Sequence, residues 1–182
     1  MRALIAVLFV AISGGPALAE TPAKCRVAES QLENSFPLPV VEKAIAAKNL
    51  TVLVAGSGSS QLPGQNGAAR AYPARLEHAL SQKLPGVTVK VTTDVKSGRT
   101  ARDMLPSLKA SLAEQKPTLL VWQTGTVDAV RIASPDEYSE ALTKGVDAAK
   151  GQGSDVVLMN MQYSPRAESM IALGNYAESM RW

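Results

Sequence analysis

The chain holds one cysteine and one histidine, and those two scarcities remove several kinds of chemistry at once. A lone Cys25 cannot close an internal disulfide, and in its polar surroundings it reads as an unpaired thiol. A metal centre of the His/Cys type needs several such ligands, and a cysteine nucleophile wants a histidine partner. With only His78 available, neither is expected. Aromatic side chains are few (two Phe, four Tyr, two Trp), and the basic residues behind the net charge of +3 are scattered along the chain. That is not the footprint of a nucleic-acid partner. No apolar run is long enough to span a bilayer, which takes roughly 20 residues.

The one apolar run near the start, Ala3 to Ile12, has the length and flanks of a secretory signal. Arg2 precedes it, Ser13-Gly14-Gly15-Pro16 break it, and Ala17-Leu18-Ala19 supplies the small residues that signal peptidase requires. Residues 1–19 are therefore read as a cleavable signal peptide rather than an uncleaved anchor, with the mature chain starting at Glu20. Cys25 lies too far past that point to be a lipoprotein's acylated cysteine. The expectation is a periplasmic or secreted protein with no membrane anchor after cleavage. The 163 residues from Glu20 suffice for one domain with a proper core and are short for two.

What is present is an alternation of two patterns. After a polar leader and a short helical pattern over Val40 to Lys48 (together residues 20–49), Thr51 to Ala55 is an apolar, largely β-branched run ended by glycine, which predicts a buried strand. Tyr72 to Leu84 has apolar residues at helical spacing, stopped by Pro85-Gly86. Val87 to Thr93, Thr118 to Gln123 and Asp155 to Asn160 predict three more strands. Between them lie a helix with Pro106 in its first turn and one opened by a capping box, Ser134-Pro135-Asp136-Glu137. Glu168 to Trp182 predicts a mostly helical segment with Gly174 as its weak point. Strands and helices alternating at this spacing imply right-handed crossovers and a parallel sheet covered on both faces, hence an α/β fold in three layers, α/β/α, with a flavodoxin-like sheet.

In such a sheet the ligand lies beyond the carboxyl ends of the strands. The loops there are Gly56-Ser57-Gly58-Ser59-Ser60, Lys96-Ser97-Gly98-Arg99-Thr100, Gln123-Thr124-Gly125-Thr126-Val127-Asp128 and Asn160-Met161-Gln162-Tyr163-Ser164-Pro165. Small and polar residues crowd every one of these ends. A dinucleotide fingerprint is not met, because Gln61 stands at the third glycine position and no Walker lysine is present. No cofactor is expected. The alternative is a serine nucleophile on a sharp strand-to-helix turn, with nearby amides stabilising an oxyanion.

Four of these elements in order resemble the SGNH, or GDSL-type, hydrolases over residues 50–165. Gly56 to Ser60 stands at the Gly-Asp-Ser turn, and Tyr72-Pro73-Ala74-Arg75-Leu76 at a Tyr-Pro-x-x-Leu helix start. Gly98 stands at the second-block glycine, and Gly125-Thr126-Val127-Asp128 at Gly-x-Asn-Asp. The resemblance implies ester hydrolysis by acyl transfer to a serine, on a small-molecule or glycan ester. One of Ser57, Ser59 and Ser60 would be the nucleophile, with Gly56, Gly58, Gly98, Gly125, Thr126 and Asp128 lining the oxyanion and substrate loops.

The departures are specific. Gly58 falls at the nucleophile position, and Val127 replaces the asparagine that donates to the oxyanion. No Asp-x-x-His block occurs, and His78, mid-helix, is read as a solvated or packed residue. A fifth strand and that block are expected beyond residue 182, so residues 50–182 read as an incomplete domain of the family. The other reading is a non-catalytic module of the same fold, binding glycans or assisting polysaccharide assembly. Asp128 is read as a helix cap or a ligand contact, and Trp122 and Tyr163 as core or pocket wall. Arg99, Arg102 and Arg131 are read as surface charges near the site face.

Overall fold

A computed structural model describes residues 36–162 and 165–180. The expected signal peptide, its cleavage site, Cys25, Tyr163 and Trp182 lie outside the described residues. The fold is built on β1 (Asn49–Gly56), β2 (Thr88–Val95), β3 (Leu119–Gln123) and β4 (Asp155–Met159), paired in the order β2-β1-β3-β4 with every neighbour parallel. The order reverses direction between β1 and β3. The helices are α1 (Pro39–Ala46), α2 (Gly67–Arg70), α3 (Tyr72–Lys83), α4 (Ala101–Gln115), α5 (Thr126–Val130), α6 (Pro135–Gly151), α7 (Pro165–Glu168) and α8 (Gly174–Ser179). The expected three-layer α/β/α arrangement with four parallel strands is the observed one.

The period of two explains why the middle of each central strand is apolar on both faces. Leu50, Val52 and Val54 of β1, with Leu119 and Val121 of β3, face a layer that includes Ala44 of α1 and Leu76 and Leu80 of α3. The alternate residues Leu53, Ala55, Leu120 and Trp122 face Met104, Leu108 and Leu112 of α4 and Ala141, Leu142 and Ala149 of α6. Stretches buried on both faces favour apolar side chains, and the polar Thr51 and Gln123 lie towards the ends of β1 and β3. Polar groups mark the opposite, amino-terminal edge of the sheet. There Asp155 Oδ2 accepts from Val40 N and Val41 N, both at 2.9 Å, placing a carboxylate at the amino end of α1.

Three expectations about helix ends need correction. Pro106 lies inside α4, which begins five residues earlier. Its start is set by a capping box at Thr100, whose Oγ1 accepts from Asp103 N (3.2 Å) while Asp103 Oδ2 accepts from Thr100 N (3.0 Å). Pro106 has no N–H to donate, so α4 runs on past it with one intrahelical bond missing. Ser134 does precede α6, with Pro135 at the first position, but its side chain makes no cap hydrogen bond. Glu137, which would have reached back to close that box, is drawn outward to Arg102 at 3.1 Å. The segment after Glu168 is not one helix either. It breaks between α7 and α8, and buried Leu173 and, within α8, Tyr176 anchor the chain in the core shared with α6.

The tightest contact in the α6 layer is between Gly145 and Trp122. A Cβ added at Gly145 would stand 2.2 Å from Trp122 Cζ3 and 2.5 Å from Cη2. The indole is fully buried, its Nε1 3.2 Å from Met104 Sδ, and so has nowhere to retreat. Gly145→Ala is therefore expected to destabilise the fold by about 1–3 kcal/mol, despite alanine's better helix propensity. Urea unfolding checks this, and an unchanged or raised midpoint would contradict the packing described.

Candidate active site

The loops after β1, β2 and β3 meet at the carboxyl end of the sheet, and each has a local reason for its shape. Gly56 ends β1 because the chain folds back on itself there: a Cβ at Gly56 would lie 2.1 Å from Ser60 Oγ. Residues Gly58–Ser60 form one 3-10 turn, with Ser60 N donating to Ser57 O at 3.0 Å. This carries the Ser60 hydroxyl over the strand end, where it donates to Gln123 Oε1 of β3 at 2.5 Å. Gly98 and Gly125 both have positive φ (77° and 99°), a region that suits glycine. At Gly125 a Cβ would also meet Tyr138 Oη at 2.8 Å.

Arg99 ties the first two loops together. Its Nη2 donates to the carbonyls of Asp94 (2.8 Å) and Gly56 (3.3 Å) and to Asp94 Oδ1 (3.0 Å), and its Nη1 donates to Ser107 Oγ of α4 (2.6 Å). Ser107 Oγ in turn donates to Asp94 Oδ2 at 2.7 Å. Arg99 is thus mostly buried and held through both terminal nitrogens, with its Nε buried and unpartnered, which corrects its reading as a surface charge. Nothing in its immediate sequence distinguishes it from Arg102, which is exposed on α4, or Arg131, which is exposed after α5.

Asp128 ties the third loop to the second. Both its carboxylate oxygens accept from Ala101 N, at 3.0 and 3.1 Å, and the side chain is almost wholly buried. It therefore caps α4 from a neighbouring segment. Burial pushes its pKa up from the usual carboxylate value, partly offset by the backbone amides that surround it, Ala101 first. Beneath the same loop the Tyr138 hydroxyl is buried without a hydrogen-bond partner, and its pKa is raised by burial and then by the Asp128 charge. Thr124 Oγ1 is buried and unpartnered there too.

The candidate serines separate by environment. Ser57 and Ser60 are buried, whereas Ser59 is exposed. Gly58 leaves the centre of the crevice without a side chain, and the space beside it is held by Ser97 from the β2 loop, which lies 3.0 Å (Oγ) from where a Cβ at Gly58 would stand. Ser97 belongs to a loop that the sequence singles out, but its role there was not. His78 is exposed on α3 and Trp122 is core. A groove of about 550 Å³ begins at Ser60 and runs beneath α2 and α3 along β2, lined by Leu62, Ala71, Pro73, Glu77, Val91 and Val95 among others. Among the described residues no group of three or more His, Cys, Asp and Glu is placed to hold a metal ion, and no helix is long and apolar enough to cross a membrane.

The sequence profile of the Non-GDSL lipase-like family matches residues 24–182. The chain belongs to that family. Among curated relatives, this Non-GDSL lipase-like chain is 30% identical to Esterase TesA of Pseudomonas aeruginosa strain PAO1 over 134 residues. The match covers 74% of this chain and 64% of the esterase, so the chain spans somewhat under two thirds of that relative's length. A crystal structure of TesA superposes with a TM-score of 0.60 at 28% identity, covering 71% of this chain and 68% of that one. AlinE4, an SGNH-hydrolase family esterase, superposes with a TM-score of 0.59 at 24% identity over 72% of this chain and 67% of its own, a likeness of fold. The SGNH/GDSL-type resemblance in the loops is thereby accounted for.

Because the folded state raises the Asp128 pKa, it binds more protons than the unfolded chain from about the ordinary value of 3.8 upward. Asp128 therefore takes stability away as pH rises through the window above 3.8, and the loss levels off above the folded pKa. Asp128→Asn keeps one acceptor for Ala101 N and cannot ionise. The difference in unfolding free energy between the native chain and this variant is expected to shift against the native chain over that window. Asp128→Ala, which leaves the Ala101 amide unpaired, is expected to cost about 1–3 kcal/mol. Urea titrations across pH measure both, and a pH-independent difference between the native chain and the asparagine variant would contradict the shift.

Proposed function

We propose that this chain is an exported ester hydrolase that transfers the acyl group of a small-molecule or glycan ester to a serine hydroxyl in the crevice beyond β1, β2 and β3. The observation that carries the reading is the junction itself. Arg99 and Asp128 clamp three glycine-containing loops at one end of a parallel sheet, next to a groove of about 550 Å³ that begins at Ser60. Loops tied down in this way at a strand-end crevice suit an oxyanion, because donors fixed in advance need no reorganisation as charge develops. Family membership and the partial likeness to TesA support ester chemistry. The signal-like first 19 residues support export, and export makes O-acyl groups on envelope or extracellular polymers plausible substrates.

Two residues favour a second reading, a non-catalytic glycan-binding or assembly module. Gly58 offers no hydroxyl, and Val127 offers no hydrogen bond where loss of one oxyanion donor costs about 100- to 1000-fold in rate. The readings separate in one assay series. The hydrolase reading expects release of p-nitrophenol from short-chain p-nitrophenyl esters and of acetate from O-acetylated polysaccharide, both well above the rate in buffer. Binding of the polysaccharide with no release from either substrate would instead establish the second reading.

A further inference from the structure

We propose that Ser97, in the loop after β2, is the hydroxyl that receives the acyl group in this chain, with the Arg131 guanidinium as the cation facing the developing oxyanion. The inference rests on the acyl-transfer reading and names its residues.

Position 58 is where the β1 turn would present a nucleophile, and it is glycine. The absent side chain matters because of what stands beside it. A Cβ at Gly58 would lie 3.0 Å from Ser97 Oγ and 3.6 Å from Ser97 Cβ. A serine hydroxyl at position 58 would extend one further bond, into the same small region. The β2 loop thus delivers a hydroxyl to the place the β1 loop leaves empty. Ser97 is exposed, and among the described residues no protein group hydrogen-bonds its hydroxyl. Ser57 and Ser60 are buried, and Ser60 already donates to Gln123. The Ser97 loop is also fixed to the strand it approaches, since Lys96 N donates to Gly56 O at 3.3 Å and Arg99 holds the same carbonyl.

Arg131 supplies an independent argument. Its Nη2 lies 3.8 Å from where a Cβ at Gly98 would stand, so the guanidinium covers the residue next to Ser97. Nη1 faces Asp103 Oδ2 at 3.5 Å, a loose pairing between two exposed groups that leaves much of the positive charge available. The turn that carries it is well held: Arg131 N donates to Val127 O, and Ala133 N donates to Asp128 O, both at 2.9 Å. A cation here takes over the charge stabilisation that Val127 cannot give.

The step balances within the site. Ser97 Oγ attacks the ester carbonyl carbon, the Oγ–C bond forms, and the bond from that carbon to the alcohol oxygen breaks. The hydroxyl proton ends on the departing alcohol. Water then attacks the acyl-serine, restoring the hydroxyl and releasing the acid.

The test uses a fluorophosphonate on the full chain, where Oγ–P forms and P–F breaks. Cleavage after glutamate places Ser57, Ser59 and Ser60 in the 43–77 fragment and Ser97 in the 78–114 fragment, and fragmentation of the latter assigns the serine. The inference expects the adduct on Ser97, its loss in Ser97→Ala with an unchanged melting temperature, and a kcat about 100-fold lower in Arg131→Ala with little change in KM. Arg131→Lys should recover part of that loss. An adduct in the 43–77 fragment would overturn the assignment while leaving the hydrolase reading intact. So would ester turnover that survives in Ser97→Ala. Absence of both adduct and turnover in the native chain would overturn the assignment and the hydrolase reading together.

Discussion

The contact on which the site depends is a buried carboxylate against a single backbone amide. Asp128 sits at the amino end of α4 with both oxygens on Ala101 N, and it comes from the turn after β3. Taking a carboxylate out of water costs several kcal/mol, and the amides and helix dipole around it return only part of that, as the raised pKa records. A group kept at such a cost holds geometry. Here it fixes the Gly125–Asp128 loop to the start of α4, and Arg99 fixes that region to the ends of β1 and β2. Together with Lys96 N on Gly56 O, these two ties hold the three loops at one end of the sheet.

Because the ties are made from loop to loop, the sheet below can be ordinary. Its strands alternate two apolar faces between α1/α3 and α4/α6. Close packing of Gly145 on Trp122 seats α6 under the Gly125 loop, and α6 also carries Tyr138. The Tyr138 hydroxyl and Thr124 Oγ1 leave two polar atoms unpaired beneath that loop. Unpaired groups of this kind cost stability and are more often found where a site has been shaped than in the middle of a core.

Much of this was legible in the sequence, for definite reasons. Strands buried on both faces must be continuous apolar runs, so Thr51 to Ala55 and Thr118 to Gln123 announced themselves, and glycines at strand ends marked the loops. The cap at Thr100 was hidden by Pro106, which pulls any local reading toward a later start. The roles of Arg99 and Ser97 were illegible because both depend on a partner far along the chain: Gly56 for the arginine, Gly58 for the serine. Asp128 lay in between. Its position in the motif marked it, but only tertiary contact decides that it caps α4 rather than the segment that follows it.

The Asp128–Ala101 bond is part of one rigid junction, and hydrogen exchange at the Ala101 amide tests that directly. The amide should exchange as slowly as those of β1, such as Val54, and become fast in Asp128→Ala while Val54 stays protected. Rapid exchange at Ala101 in the native chain, at a rate matching exposed loop amides such as Ser59, would mean the loops are not held together and the site is not preformed.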